Sequence, residues 1–279
     1  MTDILTLVFR TFMSQTDVRK EIGVSPPSRT ASSTLIVGDH SISHSVLLLT
    51  AVTAASEMGM KVMFFTQTKI QKLPVSLQKC VPSLNPESLK KIKFSYPRTV
   101  EELLLQVASL HESTNTSPTP PSLIIVDRLE GYLCGSGGGS HSGYHLDEQS
   151  RTAHLSALLC DSAAFLTHLL EQRSSSSAPC RLIASFQSEV DTGDAAGETS
   201  ATDPILDVLD RYFQVRCTLD RDRSYQAAAA GLQEMWHIYL SGRGMTEASS
   251  AKDCEDRTGE AKEWQLLIFP DGLMEFKLV

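Results

Sequence analysis

Short apolar segments alternate with longer segments of helical period along the first part of the chain. The apolar segments predict buried strands at 34–37, 62–65, 92–95, 122–127 and 182–186. The segments between them predict helices, which lie at 46–58, 99–111 and 147–173. Strands that are apolar on both faces are typical of a parallel sheet covered by helices. We therefore expect a βα core over residues 34–187.

The pattern changes after this core. An acidic loop is predicted at 188–203, and residues 204–279 are predicted to form C-terminal strands with a polar insert at 241–262. These strands lie at 212–219, 236–240, 264–269 and 273–279. The last two flank Pro270-Asp271-Gly272, a turn sequence that predicts a hairpin. The fold class is therefore predicted to be α/β, with a mainly parallel sheet and an antiparallel C-terminal β extension. Residues 1–33, which end in a Ser/Pro/Thr-rich stretch, predict a flexible N-terminal arm.

Charge changes this picture because it is distributed unevenly. The chain carries a net charge of −8. Residues 61–98 contain eight basic residues and one acidic residue, so this window carries +7 and the rest of the chain −15. A basic segment that folds onto one face can bind a phosphate backbone. A solvated lysine surface without any ligand stays open as the alternative.

Cysteine spacing and hydropathy argue against a zinc-binding, a disulfide-linked and a membrane-spanning protein. The six cysteines are scattered and form no C-x-x-C pair, which is typical of reduced intracellular thiols rather than of a zinc site or a disulfide framework. The apolar runs are far shorter than the roughly 20 residues that a membrane helix needs. We therefore expect a soluble intracellular protein with no metal-ion site and no membrane span.

Residues 38–45 keep the frame of a phosphate-binding loop, G-x-x-x-x-G-K-[ST], between a predicted strand and a predicted helix. Gly38 and Ser45 hold their places, but Ser43 replaces the second glycine and His44 replaces the lysine. Serine is restricted where glycine adopts positive φ, and histidine is shorter than lysine and not permanently charged at neutral pH. An ordinary strand–turn–helix stays open as an alternative. The candidate nucleotide-binding residues are Gly38, Asp39, His40, Ser41, Ile42, Ser43, His44 and Ser45.

Two strand ends could complete a nucleotide site. One apolar strand ends in Asp127, the Walker B arrangement in which a carboxylate helps to hold Mg²⁺, and the next strand is followed by Gln187. This order of parts is similar to the layout of RecA-type ATPases, in which the glutamine couples the γ-phosphate to a DNA loop. That layout also implies a catalytic glutamate after the strand at 62–65. No acidic residue occurs between Glu57 and Glu87, so this residue is missing.

Several segments resemble the RecA-like recombinase paralogues that associate with SWIM-domain proteins in the animal Shu complex (SWSAP type). These segments lie at 89–97, 121–127, 129–133, 161–164 and 211–213, and the resemblance extends over residues 34–279. It implies a RecA-like P-loop ATPase core. Residues 1–33 have no counterpart in it.

The resemblance implies a nuclear protein that pairs with a SWIM-type zinc-finger protein and binds single-stranded DNA. Such a protein supports the strand-exchange recombinase and its paralogues in homologous recombination. The resemblance implies ATP and Mg²⁺ as ligands at residues 38–45, with Asp127 on the Mg²⁺ side and Gln187 as the coupling residue. Ser43 and His44 depart from the family pattern, so we expect a degenerate ATP site.

The acidic loop lies where recombinases contact DNA, so we expect the lysine-rich window to bind DNA instead. The candidates are Lys69, Lys72, Lys90, Lys91, Lys93 and Arg98. Two further hypotheses stay open. The chain could be a DNA-stimulated ATPase in which His44 substitutes for lysine, or an interaction scaffold without DNA contact.

Overall fold

One nine-stranded sheet organises the chain, in the order β3-β2-β4-β5-β1-β6-β7-β8-β9. This computed structural model describes residues 4–13, 33–71, 75, 77, 86–112, 119–133, 144–173, 178–188, 203–224, 230–242 and 262–279. The strands are β1 (Ser33–Val37), β2 (Val62–Phe65), β3 (Ile92–Ser95), β4 (Leu123–Val126), β5 (Arg181–Phe186), β6 (Val215–Arg221), β7 (Glu234–Gly242), β8 (Lys262–Ile268) and β9 (Met274–Leu278). The helices are α1 (Ile4–Thr11), α2 (His40–Ser56), α3 (Pro86–Leu89), α4 (Val100–Ala108), α5 (Glu130–Leu133), α6 (Tyr144–Arg173) and α7 (Pro204–Tyr212).

The strand directions divide the sheet into two parts. In sheet order, the strands β3, β2, β4, β5, β1 and β6 pair in parallel, and β5 lies between β1 and β4. Strands β6 to β9 form an antiparallel meander at the other end. The predicted α/β class, with a mostly parallel sheet and antiparallel strands at the C-terminus, is therefore confirmed. The predicted hairpin is also present: Gly272 has φ +80° and donates its N–H to the Phe269 carbonyl at 2.8 Å.

Alternate residues of the strands supply two hydrophobic layers. In β1, Ile36 packs toward α1 and α2, whereas Leu35 and Val37 pack toward α4, α6 and α7. The first layer continues under the C-terminal strands, where Trp264 and Phe276 are buried. Both faces of the inner strands β2 and β4 are therefore covered, which explains why these two strands are apolar throughout.

The N-terminal arm differs from its prediction where the structure describes it. Residues 4–11 form α1, whose Leu5, Val8 and Phe9 are fully buried. Phe9 stacks on Phe276 at 4.7 Å between ring centroids and contacts Trp264 at 5.5 Å. For this part the prediction of a flexible arm is wrong, because α1 covers the apolar face of β8 and β9. Residues 14–32 lie outside the described part.

Two helices also differ from the sequence prediction. Helix α2 begins at His40 rather than at residue 46. Helix α7 occupies 204–212, where a strand was predicted to begin at 212, and its N-cap Asp203 accepts hydrogen bonds from the backbone N–H groups of Ile205 and Leu206. Most of the acidic loop (189–202) and of the polar insert (243–261) lies outside the described residues.

Helix α6 is the one described helix that is long and apolar enough by length and composition to cross a membrane, over Asp147–Arg173. In this fold α6 contacts β5, α4 and α7, and its Leu155, Leu159 and Leu166 are buried in the second layer. We therefore interpret it as a layer helix of the α/β sandwich. Its apolar residues are spread over many turns, so no continuous apolar run indicated it in the sequence.

Candidate functional site

The carboxyl ends of β1, β4 and β5 meet at one edge of the sheet, and α2 begins there. Gly38 follows β1 and packs directly on β6: an added Cβ would lie 2.7 Å from the Leu219 Cβ and 2.9 Å from the Leu219 carbonyl oxygen. Close packing between neighbouring strands thus requires glycine here. This requirement does not depend on any phosphate ligand.

Asp39 is the N-cap of α2. Its Oδ1 accepts hydrogen bonds from the Ser41 backbone N–H at 2.8 Å and the Ser41 hydroxyl at 2.6 Å. The Ser43 N–H donates to the Asp39 carbonyl at 2.9 Å, the i to i−4 bond of a helix. Residues 40–45 are therefore helical, and only Gly38 and Asp39 of the predicted loop lie outside α2. Two of the amides that would face a phosphate therefore already have partners: the Ser41 N–H binds the Asp39 carboxylate and the Ser43 N–H binds the Asp39 carbonyl.

The Asp39 carboxylate also sets the electrostatics of this helix end. Partial burial would raise the pKa of Asp39, but hydrogen bonds from the side chain and backbone of Ser41 outweigh this effect and lower the pKa. A helix N-terminus attracts anions because its amides are unpaired and its dipole is positive. Asp39 already supplies that anion, so a phosphate at this position would be repelled.

Asp127 is fully buried and held by three side chains at the carboxyl end of β4. Its Oδ2 is 2.7 Å from Nδ1 of His44 and accepts a hydrogen bond from the Thr66 hydroxyl at 3.1 Å. Its Oδ1 accepts from the Ser185 hydroxyl at 3.1 Å. The residue at the lysine position of the predicted loop therefore pairs with the carboxylate that was predicted to hold Mg²⁺. Both carboxylate oxygens are engaged inside the protein.

The other polar side chains at the start of α2 differ in burial, from exposed Ser41 to buried Ser43. His40 and His44 lie 5.7 Å apart between ring centroids. Burial lowers the pKa of His40, and the nearby Arg128 and His44 lower it further, against the opposing effect of Asp127. The Ser45 hydroxyl donates to the Ser41 carbonyl at 2.9 Å. Ser43 is buried, and its hydroxyl has no hydrogen-bond partner among the described residues.

Gln187 follows β5 with an exposed side chain, and its backbone N–H donates to Oε2 of Glu130 at 3.1 Å. Burial raises the pKa of Glu130 in spite of that hydrogen bond and of the neighbouring Arg128. Sequence reasoning missed Glu130 because it searched for an acid after β2, whereas Glu130 lies after β4. It also missed Arg128, whose φ of 62° places it in the left-handed region.

These residues do not fit an intact Mg²⁺–ATP site. Asp127 is enclosed by His44, Thr66 and Ser185, and the start of α2 carries a carboxylate in place of phosphate-binding amides. The cluster can hold α2 against the ends of β4 and β5. We derive no reaction step through a nucleotide from it.

The structure divides the predicted DNA-binding lysines between the two ends of the sheet. Lys90 and Lys91 precede β3, and Lys90 pairs with Glu87 at 2.6 Å. Lys93 is exposed within β3. Lys69 and Arg98 are exposed beyond the carboxyl ends of β2 and β3. Lys72 lies outside the described part.

Comparison with known proteins identifies relatives of this chain. No family model matches the chain. It is 33% identical over 189 residues to a protein named ATPase SWSAP1 from Mus musculus, a match that covers 67% of this chain and 58% of that protein. It is 31% identical over 177 residues to the ATPase SWSAP1 of Homo sapiens, covering 63% of this chain and 66% of that protein. The chain thus spans less than two thirds of the length of these relatives. The predicted resemblance is confirmed: both relatives support a SWSAP-type protein.

Proposed function

We propose that this protein is an accessory factor of homologous-recombination DNA repair that acts through protein and DNA contacts and no longer turns over ATP. It is a nuclear RecA-like recombinase paralogue in this proposal. It pairs with a SWIM-type zinc-finger protein, binds single-stranded DNA and supports filament assembly by the strand-exchange recombinase.

The pairing of His44 with Asp127 is the observation that carries the proposal. In a working site the lysine of the loop neutralises phosphates, and the strand-end carboxylate helps to hold Mg²⁺. Here the substituted residue contacts the carboxylate at 2.7 Å instead. The Asp39 cap adds a negative charge where the phosphates would lie. Both changes act against the same ligand.

The RecA-like core is supported by the sheet order. Strand β5, which precedes Gln187, lies between β1, which leads into α2, and β4, which ends at Asp127. The three residue positions that the resemblance implies for a nucleotide site thus lie on adjacent parallel strands. This arrangement supports descent from a nucleotide-binding fold, and the loss of the loop supports its loss of catalysis.

ATP binding can be tested directly by thermal unfolding of the full chain with and without ATP·Mg²⁺ at pH 6, 7 and 8. A functional site with ligand at about a hundred times its Kd would add about 2.7 kcal/mol of stability and raise the Tm by several degrees. We expect no shift at any pH.

The second candidate function is a working ATPase, which is favoured by the word ATPase in the names of the relatives. If His44 replaces lysine in that role, ATP·Mg²⁺ should raise the Tm of the parent protein and should not raise the Tm of His44→Ala. A Tm shift that depends on His44 would reject the degenerate site and support the ATPase.

The partner and DNA contacts need their own tests. Co-expression with the SWIM-type zinc-finger protein should yield a complex that survives gel filtration, and nucleotide analysis of that complex should find no bound ATP or ADP. Fluorescence microscopy of the tagged protein tests the nuclear location. Failure to bind single-stranded DNA, either alone or in the complex, would support the scaffold without DNA contact instead.

A further inference from the structure

Three cations follow three neighbouring strands at the same edge of the sheet. Strands β3, β2 and β4 are adjacent and parallel, so their carboxyl ends lie side by side. Arg98 follows β3, Lys69 follows β2 and Arg128 follows β4. Neighbouring strands are about 4.8 Å apart, so this rim is about 10 Å wide at the level of the backbone.

We propose that this rim, formed by Lys69, Arg98 and Arg128, is the surface that contacts the phosphate backbone of single-stranded DNA. The inference rests on the DNA binding proposed above and narrows it to one end of the sheet. It excludes Lys90, Lys91 and Lys93 as the main DNA contacts. It adds Arg128, which lies outside the lysine-rich window of residues 61–98.

The rim is held together by Gln67, which follows β2. The Gln67 side-chain amide donates to the Arg98 carbonyl at 3.2 Å and to the Gly131 carbonyl at 2.9 Å. A Cβ at Gly131 would collide with the side-chain Oε1 of Gln67, so a larger residue here would displace the Gln67 side chain from this position. One side chain thereby ties the backbone of the segment after β3 to the backbone of the segment after β4.

The backbone of Arg128 adopts an unfavourable conformation to reach this rim. Its φ of 62° is the one positive φ at a residue other than glycine in the described part of the chain. The Arg128 N–H donates to the Ser185 hydroxyl at 2.9 Å, and that hydroxyl donates to Asp127. Strain of this kind persists where the surroundings enforce it, and it concentrates at functional sites.

Two of the three rim cations are exposed without an ion-pair partner among the described residues, and the third is paired. Lys69 and Arg98 are exposed, and neither has an ion-pair partner among the described residues. Arg128 is 35% exposed and lies 3.4 Å from Glu130, which is only 14% exposed. At the other end Lys90 is likewise paired, with Glu87 at 2.6 Å.

Carboxylates near the rim limit its affinity. Glu102 accepts a hydrogen bond from the Arg98 backbone N–H at 2.7 Å, and Glu101 is exposed beside it in the first turn of α4. We therefore expect binding that depends on phosphate contacts and weakens strongly with salt, rather than tight binding at all ionic strengths.

Fluorescence anisotropy with a labelled oligo(dT) tests the inference on the full chain. The variant Lys69→Glu/Arg98→Glu/Arg128→Glu is matched by Lys90→Glu/Lys91→Glu/Lys93→Glu, which makes the same change in net charge. We expect the rim variant to lose affinity by about tenfold or more and its salt slope to fall by about 2, because three phosphate contacts on a single strand each contribute about 0.7. The matched variant should change affinity by less than about threefold.

The variant Arg128→Gly serves as the control for misfolding of the rim variant, because it removes the charge and glycine readily adopts the positive φ. This single variant should keep the Tm of the parent protein and still weaken DNA binding. Equal losses in the two triple variants, or a loss in the matched variant alone, would overturn the rim while leaving the proposed DNA binding in place. If the parent protein binds no oligo(dT), the rim and the DNA contact of the proposed function both fail.

Discussion

At the start of α2, Asp39 takes the place that a bound phosphate takes at an open helix N-terminus. Replacing it with alanine removes the cap, so Asp39→Ala should lower the free energy of unfolding by about 1 kcal/mol. Asp39→Asn keeps an oxygen acceptor and serves as the matched control, with a smaller change expected. Urea unfolding measures both variants. Equal losses in Ala and Asn would show that the charge of Asp39, and not its cap hydrogen bonds, stabilises α2.

His44 is the residue on which the interpretation of the site depends most. His44→Ala removes one partner of the fully buried Asp127 carboxylate, so a loss of about 1–3 kcal/mol is expected. His154→Ala is the control, because His154 is exposed on α6 and should change stability by less than about 0.5 kcal/mol. If both variants unfold at the same urea concentration, His44 is not a structural partner of Asp127, and a ligand-binding role becomes the better explanation.

Glu130 gives stability a pH dependence. Burial raises its pKa in the folded protein above the usual 4.5, so the folded state holds the proton more tightly than the unfolded state. The wild-type protein should therefore lose stability relative to Glu130→Gln as pH rises from 4.5 through the raised pKa, and the difference should be constant above it.

Urea unfolding of wild type and Glu130→Gln at intervals between pH 4 and 8 measures this trend. Glu101→Gln provides a control of opposite sign. Hydrogen bonds with its own backbone N–H and with Thr99 lower the pKa of the exposed Glu101, so any trend there should run the other way. A constant difference across the whole range would show that Glu130 titrates alike in both states.

At the scale of elements, apolar strands could be predicted and helix starts could not. The segment 62–65 became β2 with unchanged bounds, because a strand buried on both faces has to be apolar. The edge strand β3 also kept its predicted bounds, although Lys93 within it is exposed. The start of α2 was predicted six residues too late. Residues 38–45 match two defining positions of the phosphate-loop motif, and for that reason they were predicted to form a loop. The Asp39 cap signal was present in the sequence and competed with that motif.

The candidate site could be predicted from the sequence only in part, because the sequence gives the order of residues along the chain but not their contacts in the fold. Position along the chain was enough to place Asp127 and Gln187 at strand ends. It could not show that His44 contacts Asp127, a pair separated by 83 residues, since that contact depends on the extra helical turn at the start of α2. The conformation of Arg128 could not be predicted either, because nothing in the neighbouring sequence indicates a positive φ at arginine.

Helix α1 is the element that sequence reasoning lost entirely, because the Ser/Pro/Thr-rich stretch after it dominated the interpretation of residues 1–33. Phe9→Ala should cost about 3–5 kcal/mol, as expected for a buried phenylalanine that stacks on Phe276. Thr11→Ala, at an exposed position of the same helix, is the control and should change the unfolding free energy by less than about 0.5 kcal/mol. Similar effects of the two changes would mean that α1 is not docked in solution.

At the scale of the whole molecule, the two parts of the sheet share one hydrophobic layer. Side chains of α1, of the parallel strands and of β6 to β9 belong to the same buried cluster, which runs from Ile4 to Phe276. Strand β6 also pairs in parallel with β1 and antiparallel with β7, so it belongs to both parts of the sheet. Removing the C-terminal strands would therefore expose the layer beneath α1 and α2.

This continuity predicts one cooperative unfolding transition for the chain. The two tryptophans, Trp236 and Trp264, both lie in the C-terminal strands, so their fluorescence reports on that part alone. Far-UV circular dichroism reports mainly on the helices, most of which cover the parallel part. The urea midpoints of the two signals should coincide, and Phe9→Ala should move both by the same amount. If fluorescence changes at a lower urea concentration than ellipticity, the C-terminal strands form a separate unit, and α1 stabilises that unit rather than the whole sheet.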